Sequence, residues 1–338
     1  MLKRCWQTAG SKNEIDSDIW PVLRQAVVTS RFAFLAPVAL ACATSAPPHS
    51  VSPRSPAATA PTAQPVSRAP DDARGARLYD NWRAEKGVVA TFTPDSAKTP
   101  ELDGAGGPDA NGTLRDGAGR SLPNAGHDYR LKNLFGWDLR GAEGIYGPDY
   151  QKKSFVLAHN LLTDPRPAHE LRAWLASGSD TVPALGAVLD ARDLDDLTAF
   201  IDKTRAGALA GPAAIFDLAK AAPKGFVLKQ GGDATRGKTR FAKTCAGCHG
   251  PDGRKVAIDE TESVGSLSRS SGYEIWFKIL HGQPGTPMAR QVAEADATAQ
   301  AQAILDLLAA LCDRVAFPAM ASAEDVKDGD VRCGTYLR

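Results

Sequence analysis

The segment TCAGCHGPDGRK at 244–255 constrains the chain more than any other stretch, because it places two cysteines three positions apart with a histidine directly after the second. Cys245, Cys248 and His249 have the spacing at which two thiols add across the porphyrin vinyl groups of a c-type haem while the histidine ligates the iron. A thioredoxin-like CxxC would favour a preceding strand and needs no ligating histidine, and a zinc site would need a second pair of ligands. The motif therefore predicts one covalently bound haem c.

The residues around this motif resemble the class I cytochrome c family over about 226–315. RGKTRF at 236–241 is similar to the first helix of that family, where a glycine lets two helices cross closely and an aromatic side chain packs on the haem edge. YEIWFKILHG at 273–282 is similar to a later helix, and the apolar spacing within 293–311 is typical of the terminal helix. The resemblance implies a mostly α-helical fold.

The same resemblance implies that Met288, in the loop QPGTPM, is the distal iron ligand. It follows His249 by 39 positions (288 − 249), and the only other methionine downstream of residue 42 is Met320, beyond the last helix. The alternatives are that His281 ligates the iron or that Met288 is a packing residue. An iron held by His249 and Met288 has no open position for a substrate, which favours one-electron transfer over catalysis.

A second copy of the motif lacks its chemistry. RLKNLFGWDLRG at 130–141 overlays 244–255 without a gap, and the glycine, aspartate and arginine of the pattern match. The haem-binding positions are apolar in this copy, where they are occupied by Leu131, Leu134 and Phe135. Such side chains would fill the volume of a missing haem, since each unfilled methylene costs about 1 kcal/mol.

The flanks of this copy extend the similarity. RGARLY at 74–79 parallels the first helix, and DLDDLTAFI at 193–201 parallels the terminal one, with a glycine-rich insertion at about 95–128 between them. When Gly178 is aligned with the glycine that ends the later helix, Ala184 stands where the second copy has its methionine. The sequence thus predicts two cytochrome c-like helical domains, the first a degenerate one without haem.

Two other interpretations of the first copy stay open. The segment could be an ordinary surface stretch that shares three residues with a haem motif. A haem could also be held noncovalently by His127, His159 or His169, although nothing in their surroundings selects them.

The first seventy residues predict export rather than fold. FAFLAPVALA at 32–41 is a short apolar run after arginines, too short to span a bilayer, which needs about 20 residues. Cys42 directly after it resembles the lipidated cysteine of a bacterial lipoprotein, and cleavage at an ordinary signal site is the alternative. The Pro/Ala/Ser-rich tether at 43–70 has too few apolar side chains for their burial to offset the conformational entropy lost on folding. The charged residues 1–21 suggest a start site placed too early.

The predicted organisation, in chain order, is a signal region at 1–42, a tether at 43–70, a haem-less domain at 71–210, a haem-binding domain at 226–315 and an extension at 316–338. Cys312 and Cys333 remain after Cys42, Cys245 and Cys248 are assigned and Cys5 is set aside with the charged residues upstream of the signal. In an exported protein a disulfide is expected for such a pair, with free thiols as the alternative.

Charge excludes one class of partner. Lys plus Arg (40) nearly balances Asp plus Glu (39), so no basic field attracts nucleic acid. We expect an electron carrier between redox partner proteins, anchored by lipid to a membrane and facing the periplasm of a Gram-negative bacterium. The alternatives are a cytochrome subunit of a larger oxidoreductase, such as a dehydrogenase or a sulfur-compound-oxidising enzyme docked through the haem-less domain, and catalysis at a haem with a vacant site.

Overall fold

The chain is mostly α-helical over the residues that this computed structural model describes, which are 68–87, 130–145, 156–218, 223–258, 261–321 and 324–338. The helices, in chain order, are α1 (Asp72–Glu85), α2 (Leu131–Phe135), α3 (Ala168–Ser177), α4 (Ala191–Arg205), α5 (Ala234–Thr244), α6 (Ala246–His249), α7 (Val264–Ser270), α8 (Gly272–His281) and α9 (Ala297–Leu311). Short 3-10 turns lie at Gly141–Glu143, Leu185–Ala187, Pro212–Ala214, Pro223–Gly225 and Val331–Tyr336. The mostly α-helical fold class is confirmed.

Strand structure in this part of the chain amounts to one small ribbon. The strands β1 (Phe216–Asp217) and β2 (Val227–Leu228) pair antiparallel, with Phe216 opposite Leu228. β1 lies between the N-terminal half (71–210) and the C-terminal half (226–338), and β2 lies at the beginning of the C-terminal half.

Several predicted segments lie outside the described residues. They are the signal region at 1–42 with Cys42, most of the tether at 43–70, and the insertion at about 95–128. Among the helices that are described, none combines the length and the hydropathy needed to cross a bilayer.

In the N-terminal half, α1 crosses α4 in backbone contact at Gly75. A Cβ atom on Gly75 would lie 1.9 Å from the carbonyl oxygen of Asp196. Asp71 begins α1 by accepting a hydrogen bond from the Arg74 N–H at 3.1 Å. The Asp196 carboxylate in turn accepts from the Asp71 N–H and from the Arg74 guanidinium, both at 2.7 Å. One aspartate on α4 therefore holds the beginning of α1 at the crossing.

The C-terminal half repeats this arrangement where α5 crosses α9. A Cβ atom on Gly237 would again lie 1.9 Å from a carbonyl oxygen, that of Asp306. Asp233 caps α5, and its N–H donates to the Asp306 carboxylate at 2.7 Å. Arg236 Nε donates to the same carboxylate at 2.8 Å. The two helix pairs therefore share their crossing point, their cap and an ion pair between an arginine and a buried aspartate.

A buried ionic cluster joins the two halves. Asp80 on α1 pairs with Lys278 on α8, and Lys132 Nζ lies 3.5 Å from the other carboxylate oxygen of Asp80. Burial alone would raise the pKa of Asp80, but the charges of Lys278 and Lys132 outweigh it and lower that pKa. Trp137 completes the cluster, with Lys132 Nζ 3.7 Å from its ring centre and the Phe277 ring 5.1 Å away.

The described residues from Pro70 onward belong to one compact unit, so the two halves pack as one body. The predicted domain ranges 71–210 and 226–315 stay predictions. In the C-terminal extension, Cys312 and Cys333 form a disulfide with their Cα atoms 5.9 Å apart, which joins the end of α9 to the 3-10 turn at Val331–Tyr336.

Candidate haem site

The CxxCH segment forms a single helical turn that begins where α5 ends. Cys245 has φ −111° and ψ −37°, which interrupts the helix between α5 and α6. Its carbonyl oxygen accepts hydrogen bonds from the Cys248 and His249 N–H groups at 3.1 and 2.9 Å. Cys245 is therefore the N-cap of this turn, and Cys248 and His249 are its last two helical residues. Gly250, with φ +80°, then ends it.

Both thiols of this turn are free. Cys245 is half-buried and Cys248 is exposed. Burial raises the pKa of Cys245, although the Thr244 hydroxyl at 3.3 Å and the charge of Arg240 act in the opposite direction. The Cys245 thiol is therefore protonated at neutral pH.

His249 is half-buried and has an unsatisfied nitrogen. Burial lowers its pKa, so the ring is neutral near pH 7. Its Nδ1 atom is buried and has no hydrogen-bond partner among the described residues. A neutral imidazole beside two free thiols is the donor set that covalent haem attachment uses. The residues present therefore fit a haem c.

Met288 lies in a tight loop that follows α8. Gly282 ends the helix with φ +92°, and a Cβ atom there would lie 2.4 Å from the Met288 carbonyl oxygen. The Gln283 N–H donates to that same oxygen at 2.9 Å. The side chain of Met288 is half-buried. The loop thus has a defined backbone conformation that requires glycine at position 282.

His281, the competing distal ligand, lies at the interface between the halves. Its ring centre is 4.6 Å from that of Phe277 and 5.2 Å from that of Phe200 on α4. Burial, reinforced by the charge of Arg290, lowers its pKa to about 3. His281 also lines a cavity of about 470 Å³ whose walls include neither cysteine of the motif, nor His249, nor Met288.

The matching turn in the N-terminal half is packed with apolar side chains. Leu131, Leu134 and Phe135 are each 1% exposed or less, whereas Cys248 is exposed. Gly136 ends this turn with φ 78° and ψ 160°, close to the 80° and 163° of Gly250. The two turns therefore end in the same backbone conformation, although Leu131 begins its helix whereas the aligned Cys245 lies between two helices.

The loop after α3 corrects the position assigned to Ala184. The Ser179 N–H donates to the Val182 carbonyl at 3.0 Å, which is the counterpart of the bond from Gln283 to Met288. The hydrogen bonding thus matches Met288 to Val182, which is buried, and not to the half-buried Ala184. The ungapped overlay is wrong here because the loop is two residues shorter in the N-terminal half.

The histidines of the N-terminal half have other surroundings. His159 Nε2 lies 2.7 Å from the Asp164 carboxylate, and its ring packs on Trp174 at 4.8 Å between ring centres. His169 is exposed, and His127 lies outside the described residues. Within the described ranges, no group of three or more His, Cys, Asp or Glu side chains could hold a metal ion.

Sequence reasoning missed the residues of α1 that contact the Met288 loop. Arg77 and Glu85 lie about 200 positions before that loop, at separations of 204 and 200 residues. No local pattern predicts such a contact, because it depends on how the two halves pack.

Residues 234–311 match the family model described as Cytochrome c. No curated protein and no solved structure matches the chain. The matched range runs from the first residue of α5 to the last residue of α9, and it contains the CxxCH turn and the Met288 loop. The family implies covalently bound haem c and haem-based electron transfer. Residues 234–311 are therefore a cytochrome c domain.

Proposed function

We propose that this protein is an electron carrier with one haem c, attached at Cys245 and Cys248 and ligated by His249 and Met288. One observation carries the proposal. Two short helical turns that end in the same glycine conformation present two free thiols and a neutral imidazole in one half, and three buried apolar side chains in the other. Only one of the two halves can attach a porphyrin through cysteine.

The residues of the C-terminal half have separable tasks in this account. The exposed Cys248 thiol is accessible for bond formation, and the α5–α6 turn sets its distance from Cys245. His249 offers a nitrogen lone pair, and Met288 offers a soft thioether sulfur. When bound, the haem supplies a one-electron couple, and ligation on both sides by these residues leaves no open position for a substrate.

The N-terminal half has a different task, because its positions for haem attachment are filled. Leu131, Leu134 and Phe135 occupy them as core residues. Among the described residues, these packed side chains fill the positions at which a second porphyrin would attach. We therefore take this half to be a cytochrome c-like domain that has lost its haem.

Export and lipid anchoring complete the proposal. The disulfide between Cys312 and Cys333 supports an oxidising compartment, where such bonds persist. The apolar run before Cys42 supports the periplasm-facing, lipid-anchored location. Replacing Cys42 with Ser should move the protein from the membrane fraction to the soluble fraction, and its retention in the membrane would contradict lipidation.

The alternative of a subunit docked through the N-terminal half gains no support from exposed apolar surface. The described residues with large exposed apolar side chains are Leu218, Val256, Val315 and Val331. None of them lies in the N-terminal half, where a permanent interface would expose such a patch. In the part of the N-terminal half that the structure describes, nothing favours a permanent interface, and redox partner proteins that dock transiently remain the proposed partners.

Absorption spectroscopy tests the ligand set. Ferric wild-type protein should show the long-wavelength charge-transfer band of methionine-ligated haem, and Met288→Ala should lose it. Met320→Ala is the matched control and should keep the band, because Met320 lies outside the loop. A wild-type protein that lacks the band and binds carbon monoxide readily when reduced would contradict the carrier function.

A further inference from the structure

We propose that the haem-less N-terminal half is a clamp on the Met288 loop, with α1 holding the distal iron ligand in place. The inference rests on the proposed ligation by Met288. It gives the N-terminal half a task inside the molecule, where the sequence had suggested docking to another subunit.

The first contact of the clamp lies at the front of the loop. His281 is the last helical residue before the loop, and its carbonyl oxygen accepts a hydrogen bond from Arg77 Nη1 at 3.2 Å. The Arg77 guanidinium also pairs with Glu85 at 3.0 Å. Glu85 then accepts a hydrogen bond from the Gly285 N–H at 3.4 Å, so that one ion pair on α1 contacts both the start and the middle of the loop.

The second contact is steric. Gly285 has φ +68°, and a Cβ atom on it would lie 2.6 Å from the carbonyl oxygen of Ala84. α1 departs from helical geometry at Asn81, with φ −159° and ψ 91°. The residues after this kink include Ala84 and Glu85, which meet the loop. The sequence of the loop therefore needs glycine at position 285 because α1 lies against it.

The third contact lies at the rear of the loop. Arg290 follows Met288 by two positions, and its guanidinium pairs with Asp72 at the beginning of α1. Arg290 Nε also donates to the carbonyl oxygen of Leu280 at 2.9 Å. Lys203 on α4 pairs with the other oxygen of Asp72 at 2.6 Å and does not contact the loop. Helix α1 of the N-terminal half thus contacts the loop at its start (His281), in its middle (Gly285) and after Met288 (Arg290).

These contacts make local opening of the Met288 loop less favourable. A ligand carried by a loop leaves the metal when the loop opens locally, so contacts that hold the loop raise the free energy of opening. The Arg77, Glu85, Asp72 and Arg290 side chains are all partly buried, which makes their ion pairs stronger than exposed ones. Losing the clamp should expose the sixth position of the iron more often.

Binding of imidazole to the ferric protein measures this opening, because added imidazole competes with the methionine. The full-length holoprotein with Asp72→Asn and Arg77→Met should bind imidazole about tenfold more tightly than wild type, the factor that corresponds to about 1.4 kcal/mol. Lys203→Met is the matched control, since it removes the other partner of Asp72 and leaves the loop contacts intact. It should bind imidazole with the wild-type affinity.

The outcomes separate the clamp from the ligand assignment. A wild-type ferric spectrum without the methionine band would refute ligation by Met288 and the clamp with it. A wild-type spectrum with the band, together with unchanged imidazole affinity in the double variant, would refute the clamp alone. Should the double variant fail to fold, Glu85→Leu keeps a similar side-chain volume and removes both the acceptor for the Gly285 N–H and the partner of Arg77. It should strengthen imidazole binding, and wild-type affinity in this variant would also overturn the clamp.

Discussion

A Cβ atom on Gly237 would lie 1.9 Å from the carbonyl oxygen of Asp306, and one on Gly75 would lie equally close to that of Asp196. No side chain fits at that distance, so each pair of helices crosses in direct backbone contact. The same crossing in both halves means that the N-terminal half keeps the helix framework of its partner although it lacks the residues that attach haem.

Replacing either crossing glycine with alanine should therefore destabilise the protein by about 3 kcal/mol or more, because the backbone of the facing helix must move. The effect of Gly75→Ala should match that of Gly237→Ala, although only the latter lies in the haem-binding domain. Gly211→Ala is the control, since a Cβ atom there would meet nothing within 4 Å. Denaturant unfolding of the three variants measures the free energies, and a neutral Gly75→Ala would contradict the shared framework.

The Asp80–Lys278 pair should be among the most sensitive positions between the halves. Asp80→Asn would leave Lys278 and Lys132 buried without their counter-charge, which costs roughly 3–5 kcal/mol of unfolding free energy. Asp195→Asn breaks the pair with Arg172, whose side chains are 34% and 47% exposed, and should cost less than about 1 kcal/mol. Equal losses in the two variants would show that the cluster does not join the halves.

The buried His281 should make stability fall in mild acid. Burial holds its pKa at about 3 in the folded protein against 6.5 when exposed, so the unfolded chain binds the extra proton first as the pH falls. The stabilisation is present above about pH 6.5 and is lost at about 1.4 kcal/mol per pH unit below it, or about 2 kcal/mol by pH 5.

His281→Gln removes this titration, and its unfolding free energy should vary less between pH 7 and pH 5, by about 2 kcal/mol. Charge from Arg290 and Arg77 opposes protonation of His281, whereas Asp72 and Asp80 favour it. Identical pH profiles of wild type and variant would show that another group is responsible.

Local patterns predicted the helices, the CxxCH turn and the apolar replacement at Leu131, Leu134 and Phe135. Each of these depends on spacing along a few residues, which a sequence displays directly. The repeated Asp-x-x-Arg-Gly at 71–75 and 233–237 could also have been found, because both aspartates cap a helix and both arginines reach an aspartate on the facing helix.

Contacts between the halves could not be predicted in the same way. Asp80 and Lys278 are 198 positions apart, and their pairing follows from the packing of two helical bodies. The error at Ala184 has a related cause. An overlay without gaps cannot register a loop that is two residues shorter, whereas the hydrogen bond from Ser179 to Val182 does.

The haem content of the purified protein shows whether one half, both halves or neither half carries a porphyrin. A pyridine haemochrome assay on the full-length protein should give one haem per polypeptide, and Cys245→Ala with Cys248→Ala should abolish covalent attachment. Two haems per polypeptide would mean that the N-terminal half also binds a porphyrin. None would mean that the free thiols at Cys245 and Cys248 serve another chemistry, and either result would contradict the account.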